Sequence, residues 1–128
     1  MKITHHNPDT LYANPAFSQA VSVEGASRLI YIGGQNGITP DGQLAGADLG
    51  AQTEQALKNV LEALRAAGAS QENVVRLGIY VVEGQDFNAG FAASQKVWGL
   101  HPTAITGVLV AGLAVPGALV EIEAVAAV

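Results

Sequence analysis

The sequence contains no cysteine, only six lysine and arginine residues, and no arginine after Arg76. The absence of cysteine excludes disulfide bonds, thiolate zinc sites and a cysteine nucleophile, and it fits a reducing compartment. Residues 1–6 lack the apolar core of a signal peptide, and no apolar run approaches the ~20 residues of a membrane-spanning helix. We therefore expect a cytoplasmic protein with no membrane partner.

Charged residues of both signs are also scarce. They make up 13% of the chain, against roughly 25% in ordinary soluble domains. The formal net charge is −5 and the few basic residues are scattered, so we expect no binding to nucleic acid. Too little charge is present to coat the whole surface, which predicts that part of it is buried against identical subunits.

The length of 128 residues predicts one domain, spanning residues 1–128, with a single core. The three histidines lack partners at ligand spacing, so we predict no metal site. No glycine-rich segment opens a helix, as a phosphate-binding loop would require.

The first third of the chain predicts two strands. Residues 16–23 alternate well enough for one strand and residues 28–34 for a second, with turn residues between them. We expect these two strands to pair as a hairpin, and a further short strand is possible at residues 2–4. Gly33 and Gly34 end the second strand, which suggests that another backbone or a ligand comes close there.

The remaining chain alternates helices and strands. Residues 48–67 carry an apolar stripe at three- and four-residue spacing, which predicts a helix capped by Asp48 and ended by Gly68. The other predicted elements are a strand over residues 73–82, a second helix over 86–98 that buries Phe87, Phe91 and Trp98, and strands over 103–113 and 118–127.

The resulting order, β-β-α-β-α-β-β, predicts an α+β fold in which two helices pack on one face of a mixed sheet. The opposite face carries apolar residues as well, so it needs a cover. Self-association of sheets would supply that cover.

Glu121 is the strongest candidate for a catalytic group because it stands on an otherwise apolar strand. A solvated edge strand that carries both Glu121 and Glu123 on one face is the alternative. A second candidate is the segment Gly33, Gly34 and Gln35, which either offers backbone N–H groups and an amide to a ligand or forms only a tight strand end.

Three further residues are candidates for the lining of a pocket. Phe17 and Phe91 suit an apolar ring or alkyl group, and ordinary core packing explains them equally well. His101 precedes Pro102 and either supplies a partial cation to the site or is an exposed loop residue.

Five short motifs, in this order and spacing, resemble those of the RidA (YjgF-type) family of reactive-intermediate deaminases. They are Ile32-Gly33-Gly34-Gln35, Gln55-Ala56-Leu57-Lys58-Asn59-Val60, Ala66-Ala67-Gly68, Pro102 at a strand start, and Val120-Glu121-Ile122-Glu123-Ala124-Val125. The resemblance spans about residues 14–127 and implies the chorismate-mutase-like fold of that family. It also implies a homotrimer with a barrel-like centre and a small-molecule ligand in clefts between neighbouring subunits.

The resemblance implies a hydrolysis of amino-acid-derived enamines and imines that needs no cofactor and releases ammonia and a 2-oxo acid. Glu121 matches the family's carboxylate linked with water activation. Four other family positions carry a different residue here. Ala104 stands in place of the carboxylate-binding arginine, Phe17 in place of a residue with a phenol, Gly33 in place of a serine and Phe91 in place of an asparagine. Ala104 and the adjacent Ile105 would therefore line the cleft where the family has its arginine.

The missing arginine alters the expected substrate. Bidentate recognition of a carboxylate depends on a guanidinium, so we expect a small, uncharged or aromatic imine instead. The alternative is a non-catalytic trimer that binds a small molecule or regulates a partner. Some family members are labelled endoribonucleases of the L-PSP type, and the charge balance gives that activity little support.

Overall fold

The chain folds into six strands, two α-helices and one short 3₁₀ helix. The computed structural model describes all residues from Met1 to Val128. In chain order the elements are β1 (Lys2–His6), β2 (Ala20–Glu24), β3 (Leu29–Asn36), α1 (Leu49–Ala66), the 3₁₀ helix (Gln71–Asn73), β4 (Val74–Val82), α2 (Phe87–Val97), β5 (Ala104–Val110) and β6 (Val120–Ala127). Neither α-helix is both long and apolar enough to cross a membrane.

The strands form two sheets. β1 and β2 pair in a small antiparallel sheet, whereas the main sheet has the strand order β3-β6-β4-β5. β4 runs parallel to β5, and β6 runs antiparallel to both β3 and β4, so the main sheet is mixed. The predicted α+β fold, with two helices on a mixed sheet, is therefore confirmed. Because β6 is central, its side chains lie between those of β3 and β4.

The predicted hairpin between residues 16–23 and 28–34 is wrong. The first of these strands begins only at Ala20, and it pairs with β1 rather than with β3. β3 pairs with β6, the last strand of the chain. Alternation along a strand indicates which face is buried, but it carries no information about the neighbouring strand, which here is distant in sequence.

Helix α1 packs on the main sheet through the predicted apolar stripe. Asp48 caps the helix, since its Oδ1 accepts a hydrogen bond of 2.7 Å from the backbone N–H of Ala51. Gly68 follows the last turn at a φ of 78°, a conformation that a residue with a Cβ rarely adopts. The buried residues of α1 are Leu49, Gln52, Thr53, Ala56, Leu57, Val60 and Leu64. All of them except Gln52 belong to the predicted stripe.

Helix α2 differs from the prediction in what it buries. Trp98, at its C-terminal end, is buried as expected, but Phe87 is 38% exposed and Phe91 is 47% exposed. The buried residues within α2 are instead Gly90 and Ala93. These small residues allow α2 to approach α1 closely, and the two phenylalanines are left beside the contact rather than inside it.

The main sheet has two different faces. On the helix face, the side chains of β6 that point towards the helices are buried, and they are Val120, Ile122, Ala124 and Ala126. On the open face, three of the intervening side chains of β6 are only partly buried, and they are Glu121, Glu123 and Val125. The open face therefore carries the ionisable groups of the central strand.

Candidate functional site

Glu121 lies on the open face where β3 and β6 lose register. Between paired positions β3 contains one more residue than β6, and the extra residue falls within Gly33–Gly34. A bulge of this kind leaves the extra residue out of the hydrogen-bonded ladder. A Cβ on Gly34 would collide with Oε2 of Glu121, so the carboxylate occupies the space above this glycine. The predicted close approach at the glycine pair is thus present at Gly34, and the approaching group is a side chain of the same chain.

Asn36 fixes the other oxygen of this carboxylate. Its Nδ2 donates to Oε1 of Glu121 at 3.4 Å and to the backbone carbonyl of Val120 at 3.0 Å. Asn36 also contacts α1, because Nδ2 of Asn59 donates a hydrogen bond of 3.1 Å to the backbone carbonyl oxygen of Asn36. Glu121 is therefore held from both strand and helix, and it is not a freely solvated side chain.

A second carboxylate lies beside the first and pairs with a phenol. Tyr80 donates from its hydroxyl group to Oε1 of Glu123 at 2.8 Å. A Cβ on Gly78 would lie 2.7 Å from that same oxygen, so Glu123 lies over a glycine as Glu121 does. The hydrogen bond to Glu123 raises the pKa of Tyr80 above its ordinary value of 10.0, and the negative charge of Glu123 adds to the increase. Two carboxylates and the phenol of Tyr80 thus share the open face.

Arg76 lies on the same face, beside the position where the sequence lacks its expected arginine. In the parallel pairing of β4 with β5, the register partner of Arg76 is Ala104. Residues paired in this way point to the same face of a sheet. The guanidinium extends to β5, where Nη1 donates to Oγ1 of Thr106 at 3.4 Å. A cation is therefore present near Ala104, although no arginine is near it in the sequence.

A groove of about 400 Å³ lies on the open face. Tyr31 and Gly33 of β3 line one side of it, Arg76 and Gly78 of β4 line the other, and Glu123 of β6 lies between them. Glu121 is not part of the lining, and it lies beyond the groove at the Gly34 bulge. The groove combines a cation, an aromatic ring and a carboxylate.

A second cavity, of about 490 Å³, lies on the helix face, and we call it the helix-side cleft. It is bounded by α2, the segment that follows α2, and the segment before β2, and its lining includes Phe17, Phe91, His101 and Ile105. Apolar side chains dominate its wall, and Trp98, the only tryptophan of the chain, is among them.

The predicted site residues thus divide between two faces within one chain. Glu121, Gly33, Gly34 and Ala104 belong to the open face, whereas Phe17, Phe91, His101 and Ile105 line the helix-side cleft. A four-stranded sheet separates the two groups. The chain does not bring them together by itself, and a single cleft containing both sets would need a second subunit.

Two of the predicted site residues make contacts within the chain that account for their positions without a ligand. His101 is half-buried rather than exposed. Its Nε2 lies 3.2 Å from the carbonyl oxygen of Val74, and the centroids of the His101 and Trp98 rings lie 6.1 Å apart in an edge-on arrangement. Gln35 folds back on its own strand, because its Nε2 donates to the carbonyl of Gly33 at 3.0 Å.

The sequence interpretation missed Arg76 and Tyr31, which line the groove, and Tyr80, which lies on the same face and binds Glu123. All three lie on strands whose neighbours are distant in sequence, so no local motif joins them to Glu121 or Glu123. One signal was available, because Arg76 and Tyr80 are polar positions in an otherwise apolar strand, four residues apart and therefore on one face. No group of three or more histidine and carboxylate side chains lies close enough to hold a metal ion.

Comparison with known proteins gives the family of this chain. The family model described as Endoribonuclease L-PSP matches residues 7–128. The chain belongs to this family. The predicted membership in the RidA (YjgF-type) group is thereby confirmed, since the proteins of known structure that it resembles include ones named as RidA or as Rid-family members.

Individual members of the family are similar to the chain over most of its length. The human 2-iminobutanoate/2-iminopropanoate deaminase is 39% identical over 111 residues, which cover 86% of this chain and 78% of the human protein. A Rid-family protein of unknown function from Yersinia pestis is 38% identical, with a TM-score of 0.87 and complete coverage of both chains. RidA from an Antarctic Psychrobacter is 30% identical, with a TM-score of 0.71, and the match covers 91% of this chain and 92% of that one.

Proposed function

We propose that this Rid-family protein hydrolyses a small imine or enamine metabolite to a carbonyl compound and ammonia, without a cofactor. Two observations support the proposal. Deaminases of 2-iminobutanoate and 2-iminopropanoate are among its relatives. The observation that carries it is the position of Glu121, whose carboxylate lies against the Gly34 bulge with Asn36 as its only hydrogen-bond donor.

The chemistry needs one group that handles protons and one that orients the substrate. Water adds to the carbon of the C=N bond, and one of its protons passes to the nitrogen to give a carbinolamine. The remaining hydroxyl proton passes to the nitrogen as the C–N bond breaks, which releases ammonia and leaves a C=O group. Glu121 accepts the proton from water and returns it to the nitrogen. The backbone N–H groups of the Gly33–Gly34 bulge orient the substrate, since a bulge leaves such groups free of the ladder.

We also propose that three copies assemble through their open faces and that the substrate binds between neighbouring copies. Tyr31 is 73% exposed and Val108 is 41% exposed in the single chain, so the open face offers apolar surface that a partner would cover. The edges of neighbouring sheets would then meet, so that a cleft between copies draws residues from two chains. Light scattering at several protein concentrations measures the mass of the assembly, which should be three times that of one chain.

The altered residues around the site change its substrate range in this proposal. With alanine at position 104 and phenylalanine at positions 17 and 91, the site lacks three polar side chains that the family resemblance implies. Apolar or aromatic side chains on the substrate are accommodated more readily as a result. Arg76, the register partner of Ala104, is the remaining cation in this region.

The decisive experiment measures 2-oxo acid release from 2-iminopropanoate, generated in situ from alanine by an amino-acid oxidase. We expect the wild-type protein to accelerate release over buffer and Glu121→Gln to abolish the acceleration. Glu72→Gln is the matched control, because Glu72 is an exposed carboxylate in the 3₁₀ helix. Full activity in Glu121→Gln would contradict the assignment of Glu121, and no acceleration by wild type would contradict deamination of this substrate.

The helix-side cleft supports a second candidate function, the binding of an apolar metabolite without turnover. Its volume of about 490 Å³ suits a small molecule, and its wall holds Phe17, Phe91 and Ile105. Trp98 lines the same cleft, so its fluorescence reports on occupancy. A binder raises the melting temperature and changes this fluorescence with added ligand while producing no ammonia, whereas a catalyst shows turnover.

A further inference from the structure

Two buried polar atoms have no hydrogen-bond partner in the protein, and both of their residues line the helix-side cleft. They are Oγ1 of Thr53, on α1, and Nε1 of Trp98, at the C-terminal end of α2. Thr53 is only 5% exposed and Trp98 only 7%. Hydroxyl and indole N–H groups held away from water nearly always have a partner, because an unpaired group loses its hydration without compensation. These two exceptions therefore require a physical explanation.

The other buried polar side chains are all paired. Ser18, Gln52 and Thr103 each form a hydrogen bond with a backbone carbonyl group. None of these three residues lines the helix-side cleft. The unpaired atoms are thus confined to the lining of one cavity, which indicates that an occupant of the cavity, rather than the fold, supplies their partners.

The hydroxyl of Thr53 lies close to α2 at a residue that has no side chain. A Cβ on Gly90 would lie 3.7 Å from Oγ1 of Thr53, and Gly90 also lines the cleft. Because Gly90 is a glycine, α2 places no methyl or larger group over this hydroxyl. A ligand atom in the cleft can therefore reach Thr53.

The lining of the cleft indicates an uncharged ligand. It contains no aspartate, glutamate, lysine or arginine, and its one ionisable residue, His101, already has Nε2 against the carbonyl oxygen of Val74. A buried ion without a countercharge is costly, whereas an apolar body suits a wall that is mainly hydrophobic. The indole N–H of Trp98 can only donate, so the ligand must also carry a hydrogen-bond acceptor.

We propose that the helix-side cleft binds a neutral, mainly apolar carbonyl compound, and that Nε1 of Trp98 donates a hydrogen bond to its carbonyl oxygen. Thr53 supplies a second polar contact, since its hydroxyl can donate or accept. This inference rests on the second candidate function and adds to it the chemical class of the ligand. Neither Thr53 nor Trp98 is among the positions that the family resemblance assigns to its site, and the main sheet separates both from Glu121.

The test uses two probes of the same shape, acetophenone and α-methylstyrene, in which a CH₂ group replaces the carbonyl oxygen. Trp98→Phe keeps an aromatic ring but removes the donor. We expect the affinity for acetophenone, measured by calorimetry, to fall roughly three- to tenfold in Trp98→Phe, as for loss of one neutral hydrogen bond. The affinity for α-methylstyrene should not fall. Ser94→Ala is the control, since Ser94 lines the cleft but its hydroxyl already donates to the carbonyl of Phe91 at 2.6 Å.

Three outcomes of this comparison would each overturn the proposal. They are no binding of acetophenone by the wild-type protein, an unchanged acetophenone affinity in Trp98→Phe, and equal losses for the two probes. Benzoate, which has a similar shape and a negative charge, should bind at least about tenfold more weakly than acetophenone. Equal affinity for benzoate would contradict the neutral class of ligand.

Nuclear magnetic resonance locates the probe, because Trp98 is the only tryptophan and gives a single indole N–H signal. Acetophenone should move this proton further downfield than α-methylstyrene does, as formation of a hydrogen bond to a carbonyl oxygen requires. An unchanged indole signal at saturating acetophenone would place the probe elsewhere and overturn the proposal.

Thr53→Val tests the unpaired hydroxyl without any ligand. Valine removes the hydroxyl at nearly constant shape, so we expect the melting temperature to rise by about 2–4 °C. A lower melting temperature would show that the hydroxyl already has a partner in solution, such as a buried water, and would contradict its role as a ligand contact.

Turnover separates this inference from imine hydrolysis. Glu121→Gln, which should abolish hydrolysis, should bind acetophenone as the wild-type protein does, because Glu121 lies on the other face of the sheet. Binding of acetophenone without any hydrolysis of 2-iminopropanoate would leave this site standing and contradict the deaminase proposal. Hydrolysis without binding of acetophenone would contradict only the site in the helix-side cleft.

Discussion

The carboxylate of Glu121 occupies the volume that a side chain at Gly34 would need. This relationship joins the two parts of the candidate site, because the bulge that frees backbone N–H groups also provides the space for the acid. Glu123 and Gly78 repeat the arrangement on the neighbouring strand pair. In both cases a glycine on one strand permits a glutamate from β6 to lie flat on the sheet.

Gly34→Ala should abolish activity with little loss of stability. The new methyl group would collide with the end of the Glu121 side chain, which is flexible and can swing towards solvent. We expect turnover to fall to the level of Glu121→Gln, while the free energy of unfolding changes by less than about 1 kcal/mol. The measurements are imine hydrolysis and urea denaturation.

Gly112→Ala is the matched control for this substitution, because a Cβ at Gly112 meets no atom within 4 Å and the residue lies outside the candidate site. It should retain the catalytic rate that Gly34→Ala loses. Equal activity in both alanine variants would show that the carboxylate of Glu121 does not need its observed position.

Tyr80 should titrate above the ordinary tyrosine range because it donates a hydrogen bond to Glu123. A raised pKa in the folded state means that this interaction stabilises the protein at pH values below the unfolded pKa, near 10.0, and is lost as pH rises through the folded pKa. The difference in ultraviolet absorbance between wild type and Tyr80→Phe during an alkaline titration isolates this phenol.

Glu123→Gln should lower the pKa of Tyr80, since it removes the neighbouring negative charge and weakens the hydrogen bond. Glu72→Gln serves as the control at an exposed position. An unchanged Tyr80 titration in Glu123→Gln would mean that the hydrogen bond is not the cause of the raised pKa.

The sequence predicted local features of the fold well and strand pairing poorly. Helix α1 was placed to within one residue at each end because its cap, stripe and terminal glycine are all local signals. The strand over residues 16–23 was placed too early and given the wrong partner. The pairing of strands depends on which apolar faces meet when distant parts of the chain come together. The residues of β2 and β3 do not indicate which strand each will pair with.

The same difference explains what was found and missed at the candidate site. Glu121 was chosen because it stands on an apolar strand and matches the family's carboxylate linked with water activation, since the strand pattern alone does not distinguish it from Glu123. Arg76 was not identified as a candidate, although it is the register partner of Ala104 in the pairing of β4 with β5. Neighbours on adjacent strands are distant in sequence, and only the register of the sheet reveals them.

Gln52→Leu should destabilise the fold, because this buried amide of α1 joins two loop segments, one before α1 and one between β5 and β6. Its Nε2 donates to the carbonyls of Gly46 and Gly117 at 3.0 and 3.2 Å, and its Oε1 accepts from the N–H of Leu119 at 2.8 Å. Leucine would leave these backbone groups without partners, at a cost of about 2–4 kcal/mol in the free energy of unfolding. Chemical denaturation measures the change.

Gln95→Leu is the control for this prediction, since Gln95 is exposed on α2. It should change the free energy of unfolding by no more than about 0.5 kcal/mol. A similar result for Gln52→Leu would mean that water replaces the lost hydrogen bonds at no net cost.

Ala104→Arg should raise the affinity for pyruvate, because it places a guanidinium where the family resemblance implies one. Ala104 is the register partner of Arg76, so its side chain points to the open face. We expect the affinity to rise roughly tenfold, as for one added charge-assisted hydrogen bond. Calorimetry with pyruvate and with pyruvamide, its uncharged counterpart, measures the gain. Ile105→Arg is the control, since Ile105 lines the helix-side cleft. Equal gains in the two arginine variants would show that added positive charge, rather than its position on the open face, controls binding.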